Sequence, residues 1–204
     1  MTGGTGLRMP RPTHEEPLPP SLPAAGQRGW LISLFIVYFA LLTWIVLWKL
    51  EPPYIGNGEL RHIKLVPFVS TTEDGASEPF EVTANVLLFI PFGLYLGLLA
   101  PSWPWWKLAG LVAGSSLALE VAQYVLAVGS SDATDIIANT AGGIAALGLL
   151  VMARRTLQDR AANVMTRVCS VVTALFVLAS GIFIASPMHY APIHDVELPV
   201  VSAP

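Results

Sequence analysis

The chain has 204 residues, of which 53% are hydrophobic and 12% are charged. An ordinary soluble domain carries about 25% charged residues, so this composition predicts an integral membrane protein whose main partner is membrane lipid. The net charge of −3 and the pI near 5.7 leave no basic surface for nucleic acid, and a single cysteine excludes disulfide frameworks and cysteine-based zinc sites.

The first part of the chain predicts a tail, an anchor and an outer segment. Residues 1–29 are rich in proline, glycine and polar residues, which predicts a disordered cytoplasmic N-terminal tail. Residues 30–48 are apolar and end in bulky residues, which predicts a retained transmembrane anchor rather than a cleaved signal peptide. Residues 49–81 form an outer segment, in which the apolar stretch 63–69 is too short to cross and predicts an interfacial or re-entrant element.

Four further apolar runs follow, each close to the roughly 20 residues that a helix needs to cross the hydrocarbon core. The predicted fold class is therefore all-α, a polytopic transmembrane helix bundle with five spans. Residues 82–152 would form a three-helix core, 153–167 a basic cytoplasmic loop, 168–186 the fifth transmembrane helix and 187–204 an outer C-terminal tail. The four runs are 82–100, 105–128, 133–152 and 168–186.

The distribution of lysine and arginine predicts the orientation. With five spans and a cytoplasmic N-terminus, eight of the 11 basic residues fall on the inner side and three on the outer side. This bias is typical of bacterial inner-membrane proteins, so we expect a multi-pass protein of that membrane with its C-terminus outside. The inner residues are Arg8, Arg11, Arg28, Lys107, Arg154, Arg155, Arg160 and Arg167, and the outer ones are Lys49, Arg61 and Lys64.

Small residues at three- and four-residue spacing predict the contact faces of the core helices, because they allow two backbones to approach closely. We therefore expect the second, third and fourth spans to pack through these faces. They carry Gly93 and Gly97 in the second span, Gly110 and Gly114 in the third, and Ala138, Ala141, Gly142, Ala145 and Ala146 in the fourth.

Polar side chains inside the predicted spans indicate a functional site or a buried hydrogen-bond network, because an ionisable group in hydrocarbon is costly. Glu120 lies well inside the third span, and Ser116 and Gln123 lie on the same face of that helix. The fourth span begins with Asp132, Asp135 and Asn139, which share one face. Asp132 alone has an equally good interpretation as the N-terminal cap of its helix.

The second span adds one more polar residue, Asn85, near its outer end. Three independent helices thus place amide and carboxyl groups at one level of the membrane. We predict that they converge on a polar pocket that opens outward. Its residues would be Asn85, Glu120, Gln123, Asp132, Asp135 and Asn139.

The order and spacing of these residues resemble the VanZ-like family of bacterial membrane proteins. The resemblance covers about residues 62–150 and implies a role in the cell envelope, and the family name comes from an accessory protein of teicoplanin-type glycopeptide resistance. Members often have an arginine shortly before the paired acids, where this chain has Gly129, Ser130 and Ser131. The matching pattern is the short element 62–68, then Asn85-(x3)-Phe89-x-Pro91-x-Gly93, Glu120-x-x-Gln123 and Asp132-x-x-Asp135-(x3)-Asn139-(x2)-Gly142.

The leading hypothesis for function is an envelope protein whose outward pocket recognises a lipid-linked or glycan-containing molecule, such as a peptidoglycan precursor. Carboxyl groups accept hydrogen bonds from hydroxyl or ammonium groups, and amides both donate and accept them. This hypothesis needs no cofactor and no metal. The alternative is an intramembrane enzyme that uses paired carboxylates, or a Mg²⁺ or Ca²⁺ ion, on the same class of molecule. A proton-coupled transporter ranks third because the chain has no internal repeat, and the sequence carries no signal for the oligomeric state.

The acids of the predicted pocket need a compensating cation or must be protonated, because like charges in a low-dielectric site resist ionisation. The nearest basic residues in sequence are Arg61 and Lys64. We therefore predict that their segment folds over the outer mouth and brings one of them towards Asp132, Asp135 or Glu120. The alternative is that both extend to lipid head groups.

Overall fold

The computed structural model describes residues 25–58, 63–68 and 79–186. Most of the predicted N-terminal tail, the predicted C-terminal tail 187–204 and Arg61 lie outside these ranges.

The described part of the chain is a bundle of five α-helices. Two strands of two residues each, β1 (Ile63–Lys64) and β2 (Ser131–Asp132), pair in parallel, with Ile63 opposite Ser131 and Lys64 opposite Asp132. The all-α class is as predicted, but the sequence did not predict this short strand pairing. The helices are α1 (Ala25–Trp48), α2 (Pro79–Leu99), α3 (Trp105–Leu126), α4 (Ala133–Leu157) and α5 (Ala161–Ala185).

The helix bounds differ from the predicted bounds at two places. Helix α1 begins at Ala25, inside the range 1–29 that was predicted to be a disordered tail. The range 153–167, predicted to be a loop, is helical and contains only a short 3-10 turn at Gln158–Arg160. That range has no glycine or proline, so nothing in its composition ends a helix at position 153.

Four helical stretches of the described chain are long and apolar enough to cross a membrane. The last of them has 53 residues, because it contains both α4 and α5. The count is therefore one lower than the five spans predicted from the sequence. The stretches are Gly26–Trp48, Pro79–Leu99, Trp105–Leu126 and Ala133–Ala185.

Helices α2 and α4 make the closest contact in the bundle, and glycines allow it. A Cβ on Gly93 would lie 2.6 Å from the carbonyl oxygen of Gly143, and a Cβ on Gly142 would collide with the carbonyl oxygen of Val86. Backbone thus lies directly against backbone, as in other membrane helix pairs with small residues at the interface. The predicted small-residue contact between the second and fourth spans is confirmed.

The predicted contact through Gly110 and Gly114 of the third span is not found in the described part of the chain. A Cβ at either glycine would meet no described atom within 4 Å. Helix α3 instead uses a larger residue, since a Cβ on Gly143 of α4 would lie 2.6 Å from a methyl group of Val112. One glycine on α4 accommodates a branched side chain here, so glycine on both helices is not needed.

Helices α1 and α5 lie side by side and point in the same direction. Gln27 near the start of α1 donates to Asn163 Oδ1 near the start of α5 at 2.7 Å. Further along both helices, the Tyr38 and Phe176 rings lie 5.7 Å apart between centroids. Matching positions along the two helices are therefore in contact.

The hydroxyl group of Tyr95 joins α2 to α5. It lies 2.6 Å from Thr173 Oγ1 and donates to the carbonyl oxygen of Cys169 at 3.2 Å. Tyr95 and Cys169 are fully buried. Both hydrogen-bond partners of this buried hydroxyl are thus supplied by α5.

Candidate functional site

The candidate site lies at the end of the bundle where α1 and α3 finish and α4 begins. Helix α3 ends when Ala127 takes a left-handed conformation with φ 57° and its N–H bonds back to the last turn. The segment after α1 lies against this end, because the Gly56 N–H donates to the Leu126 carbonyl oxygen at 2.9 Å. Gly56 lies so close to Ala127 that a Cβ would collide with its carbonyl oxygen. The chain after α1 is therefore held against the turn between α3 and α4.

The short segment 63–68 is attached to the start of α4 by three interactions. Its strand β1 pairs with β2, and the Phe68 N–H donates to Thr134 Oγ1 at 3.0 Å. Lys64 Nζ lies 3.3 Å from Asp132 Oδ2, with side-chain exposures of 6% and 15%. The structure thus places Lys64 beside one of the three acids, whereas Arg61 lies outside the described residues.

Asp132 has more than one structural role. Its Oδ1 accepts from the Thr134 N–H at 2.7 Å, so it is the N-terminal cap of α4, as the alternative interpretation expected. Its other carboxyl oxygen meets Lys64, and its own N–H donates to Glu120 Oε2 at 3.0 Å. Asp132 therefore links the segment 63–68, α3 and α4.

Glu120 is the deepest carboxyl group of this end and is 3% exposed. One carboxyl oxygen accepts the Asp132 N–H, and the Glu120 carbonyl oxygen accepts from Ser131 Oγ at 2.8 Å. The charged neighbours that act on it are Asp132 and Asp135, which are both acidic. No lysine or arginine of the described chain forms an ion pair with Glu120.

Asp135 lies in the first turn of α4 and interacts with a different group of neighbours. Asn85 of α2 supplies a side-chain hydrogen bond to it. The charges of Asp132, Glu81 and Lys49 also act on Asp135. Asp135 thus connects α4 to α2 and to the end of α1.

Asn139 and Gln123 each have one buried amide oxygen without a hydrogen-bond partner among the described residues. Asn139 Nδ2 donates to Ser116 Oγ at 2.9 Å, deep between α4 and α3. Gln123 Nε2 donates to the Val46 carbonyl oxygen of α1 at 2.9 Å. The Asn139 amide therefore connects α4 to α3 within the core, and the Gln123 amide connects α3 to α1.

A cavity of about 230 Å³ lies between the segment 63–65, α3 and the start of α4. Of the six residues predicted to form one pocket, Glu120 and Asp132 line it, and Lys64 lines it with them. The cavity is not lined by the other four predicted residues, Asn85, Gln123, Asp135 and Asn139. The rest of the lining is mostly apolar, namely Ile63, Leu65, Leu117, Val121, Tyr124, Ser131, Ala133 and Ile136.

Sequence reasoning missed contributions from residues that are common in any loop or helix. Ser131 donates to the Glu120 carbonyl oxygen, and Lys49 acts on Asp135 from the end of α1. The position of Lys49 depends on how α1 packs, whereas Ser116, which the sequence placed on the face of Glu120, bonds to Asn139. Among the described residues, no group of three or more histidine, cysteine, aspartate or glutamate side chains is placed to hold a metal ion.

A family model described as VanZ/LLP1 matches residues 35–154. The chain belongs to the VanZ/LLP1 family. The matched region contains the cavity and every candidate residue from Lys64 to Asn139, and it ends before α5. This VanZ/LLP1 chain is 32% identical to Protein VanZ from Enterococcus faecium over 130 residues, which is 63% of this chain and 78% of the relative. No solved structure matches the chain.

Proposed function

We propose that this VanZ/LLP1 protein recognises a lipid-linked or glycan-containing molecule of the bacterial cell envelope at the end of the bundle that carries Lys64, Asp132 and Glu120. The observation that supports this is the cavity, which combines apolar walls with these charged groups. Ligand sites are typically apolar with a few polar groups that fix orientation. A link to teicoplanin-type glycopeptide resistance belongs to the same proposal through the family resemblance.

The proposal includes five membrane spans. A straight helix of 53 residues would be about 80 Å long, far more than the roughly 30 Å of hydrocarbon. Helix α5 instead lies beside α1, with Gln27 against Asn163 and Tyr38 against Phe176. Parallel contact of the first and last helices is what an odd number of crossings requires. Separate crossings by α4 and α5 fit this geometry.

The proposal also places the cavity on the outer side of a bacterial inner membrane. Of the described basic residues, only Lys49 and Lys64 belong to the cavity end. Arg154 Nη2 donates to the Gly97 carbonyl oxygen at 3.0 Å, so the ends of α4 and α2 meet at the opposite end. That opposite end carries Arg28, Lys107, Arg154, Arg155, Arg160 and Arg167.

Reporter fusions test this orientation. A reporter enzyme fused after Pro204 should be active outside the cytoplasm, and one fused after Arg160 should be active inside it, because arginine-rich ends are retained in the cytoplasm. The reversed pair of results would place the cavity on the cytoplasmic side and contradict recognition of an outer envelope molecule.

Filling the cavity tests the recognition itself. Leu117→Trp adds bulk to a lining residue, so we expect the lipid-linked material that co-purifies with the full chain in mild detergent to fall at least severalfold, as measured by mass spectrometry. Leu111→Trp is the matched control, because Leu111 is also exposed on α3 but does not line the cavity.

Equal amounts of bound lipid in wild type, Leu117→Trp and Leu111→Trp would contradict recognition at this cavity. Conversion of the bound molecule by the purified protein would instead favour the enzyme alternative, in which the carboxyl groups act as acid and base.

A further inference from the structure

The cavity contains one more acidic group than it has basic partners among the described residues. Lys64 and Asp132 form an ion pair with N and O 3.3 Å apart, and their opposite charges compensate each other. Glu120 also lines the cavity, is 3% exposed, and forms no ion pair with a described lysine or arginine. A buried carboxyl group is costly to ionise without a cation, so a positively charged group of a ligand would stabilise the ionised form of Glu120 and would itself be stabilised there.

The cavity wall beyond Glu120 is apolar and continues onto the outer face of the bundle. Leu117 and Val121 are each 52% exposed, and they lie on α3 within one turn of Glu120. In a membrane-spanning helix an exposed face of this kind meets lipid chains. A molecule that reaches Glu120 along this wall therefore needs a hydrocarbon part beside its charged group.

We propose that the cavity binds an aminolipid, with the ammonium group at Glu120 and the hydrocarbon chain along Leu117 and Val121. This inference rests on the proposed function and adds the charge of the recognised head group and its entry from the bilayer. The ammonium group donates hydrogen bonds to the Glu120 carboxylate, next to the oxygen that accepts the Asp132 N–H. Lys64 stays with Asp132 and keeps that second acid from competing for the ligand.

Lipid titration of the purified full chain by native mass spectrometry tests the proposal. The probes are dioleoyl phosphatidylethanolamine, which carries an ammonium group, and dioleoyl phosphatidylglycerol, which has the same chains and no ammonium group. We expect wild type to bind the first about tenfold more tightly, the effect of one hydrogen bond to a charged group. Glu120→Gln keeps the size of the side chain and should remove most of this preference.

Glu81→Gln is the matched control. Glu81 is an exposed acid at the same end of the bundle, and it acts on Asp135 but does not line the cavity. The preference for phosphatidylethanolamine should persist in this variant. Its loss in both variants would mean that the general negative potential selects the lipid, and would overturn the assignment to Glu120.

Equal binding of the two lipids by wild type would also overturn the ammonium proposal, and this comparison remains valid even if Glu120→Gln does not fold. If wild type binds both lipids equally, Leu117→Trp tests separately whether the cavity binds lipid at all. Weaker binding of both lipids in Leu117→Trp would leave recognition at the cavity intact and remove only the choice of head group. Unchanged binding of both lipids would overturn the proposed function as well.

Discussion

Gly142→Ala should lower the free energy of unfolding by about 1–3 kcal/mol or more, although only one methyl group is added. The added Cβ would collide with the carbonyl oxygen of Val86 and lie 3.0 Å from its carbonyl carbon. Both atoms belong to the α2 backbone, so relief requires the two helices to separate rather than one side chain to turn. SDS-induced unfolding of the purified full chain measures the change.

Gly148→Ala on the same helix is the control with the opposite expectation. A Cβ there would meet no atom of the described residues within 4 Å, and alanine has a higher helix propensity than glycine by about 1 kcal/mol. This variant should be neutral or slightly stabilised. If the two variants unfold alike, the contact between α2 and α4 is not as close as the glycine positions indicate.

Lys64→Met should have the second large effect, a loss of about 3–5 kcal/mol in stability, because it leaves a carboxylate with reduced solvent contact without its cation. The Lys64 and Asp132 side chains are only 6% and 15% exposed, so water screens this pair weakly. Lys107→Met provides the comparison, since Lys107 is exposed in the first turn of α3 and its loss should change stability by no more than about 0.5 kcal/mol. Thermal unfolding in one detergent ranks the two variants.

A double-mutant cycle then separates the ion pair from the other roles of Asp132. Asp132→Asn removes the charge but keeps a side-chain oxygen that can cap α4 through the Thr134 N–H. The double variant Lys64→Met/Asp132→Asn should lose less than the sum of the single variants, because no unpaired charge remains. Strict additivity would show that the two side chains act independently.

The helical composition of the fold could be predicted from apolar lengths alone, and the ends of the helices could not. Hydropathy falls after position 152, yet helix continues through Arg154 and Arg155 because helical geometry does not require an apolar environment. Small-residue spacing predicted the contact of α2 with α4 and failed for Gly110 and Gly114. The spacing of small residues indicates which face of a helix permits close approach. Whether a second helix packs against that face depends on the arrangement of the whole bundle.

The types of residue in the candidate site could be predicted from the sequence better than the neighbour that each side chain contacts. Helical spacing placed Gln123 and Glu120 on one face, but the Gln123 amide donates to α1 and Glu120 lines the cavity. Two residues on one helix face still differ slightly in direction, which is enough to give them different neighbours. Which neighbour Gln123 contacts depends on how α1 packs. The approach of Lys64 to Asp132 was predicted from the need of the acids for a cation, but the parallel strand pairing joins two segments far apart in sequence, so no local pattern encodes it.

The hydrogen bonds of Tyr95 also have a consequence for the order in which the protein is assembled. Synthesis runs from the N-terminus, so α2 is in the membrane before Thr173 and Cys169 of α5 have been made. Until then the Tyr95 hydroxyl lacks the two partners that α5 supplies, and an unsatisfied polar group costs about 1–3 kcal/mol where it is buried. Docking of α5 therefore supplies both partners of this hydroxyl, and a helix that lies beyond the family match contributes to the interior of the family domain.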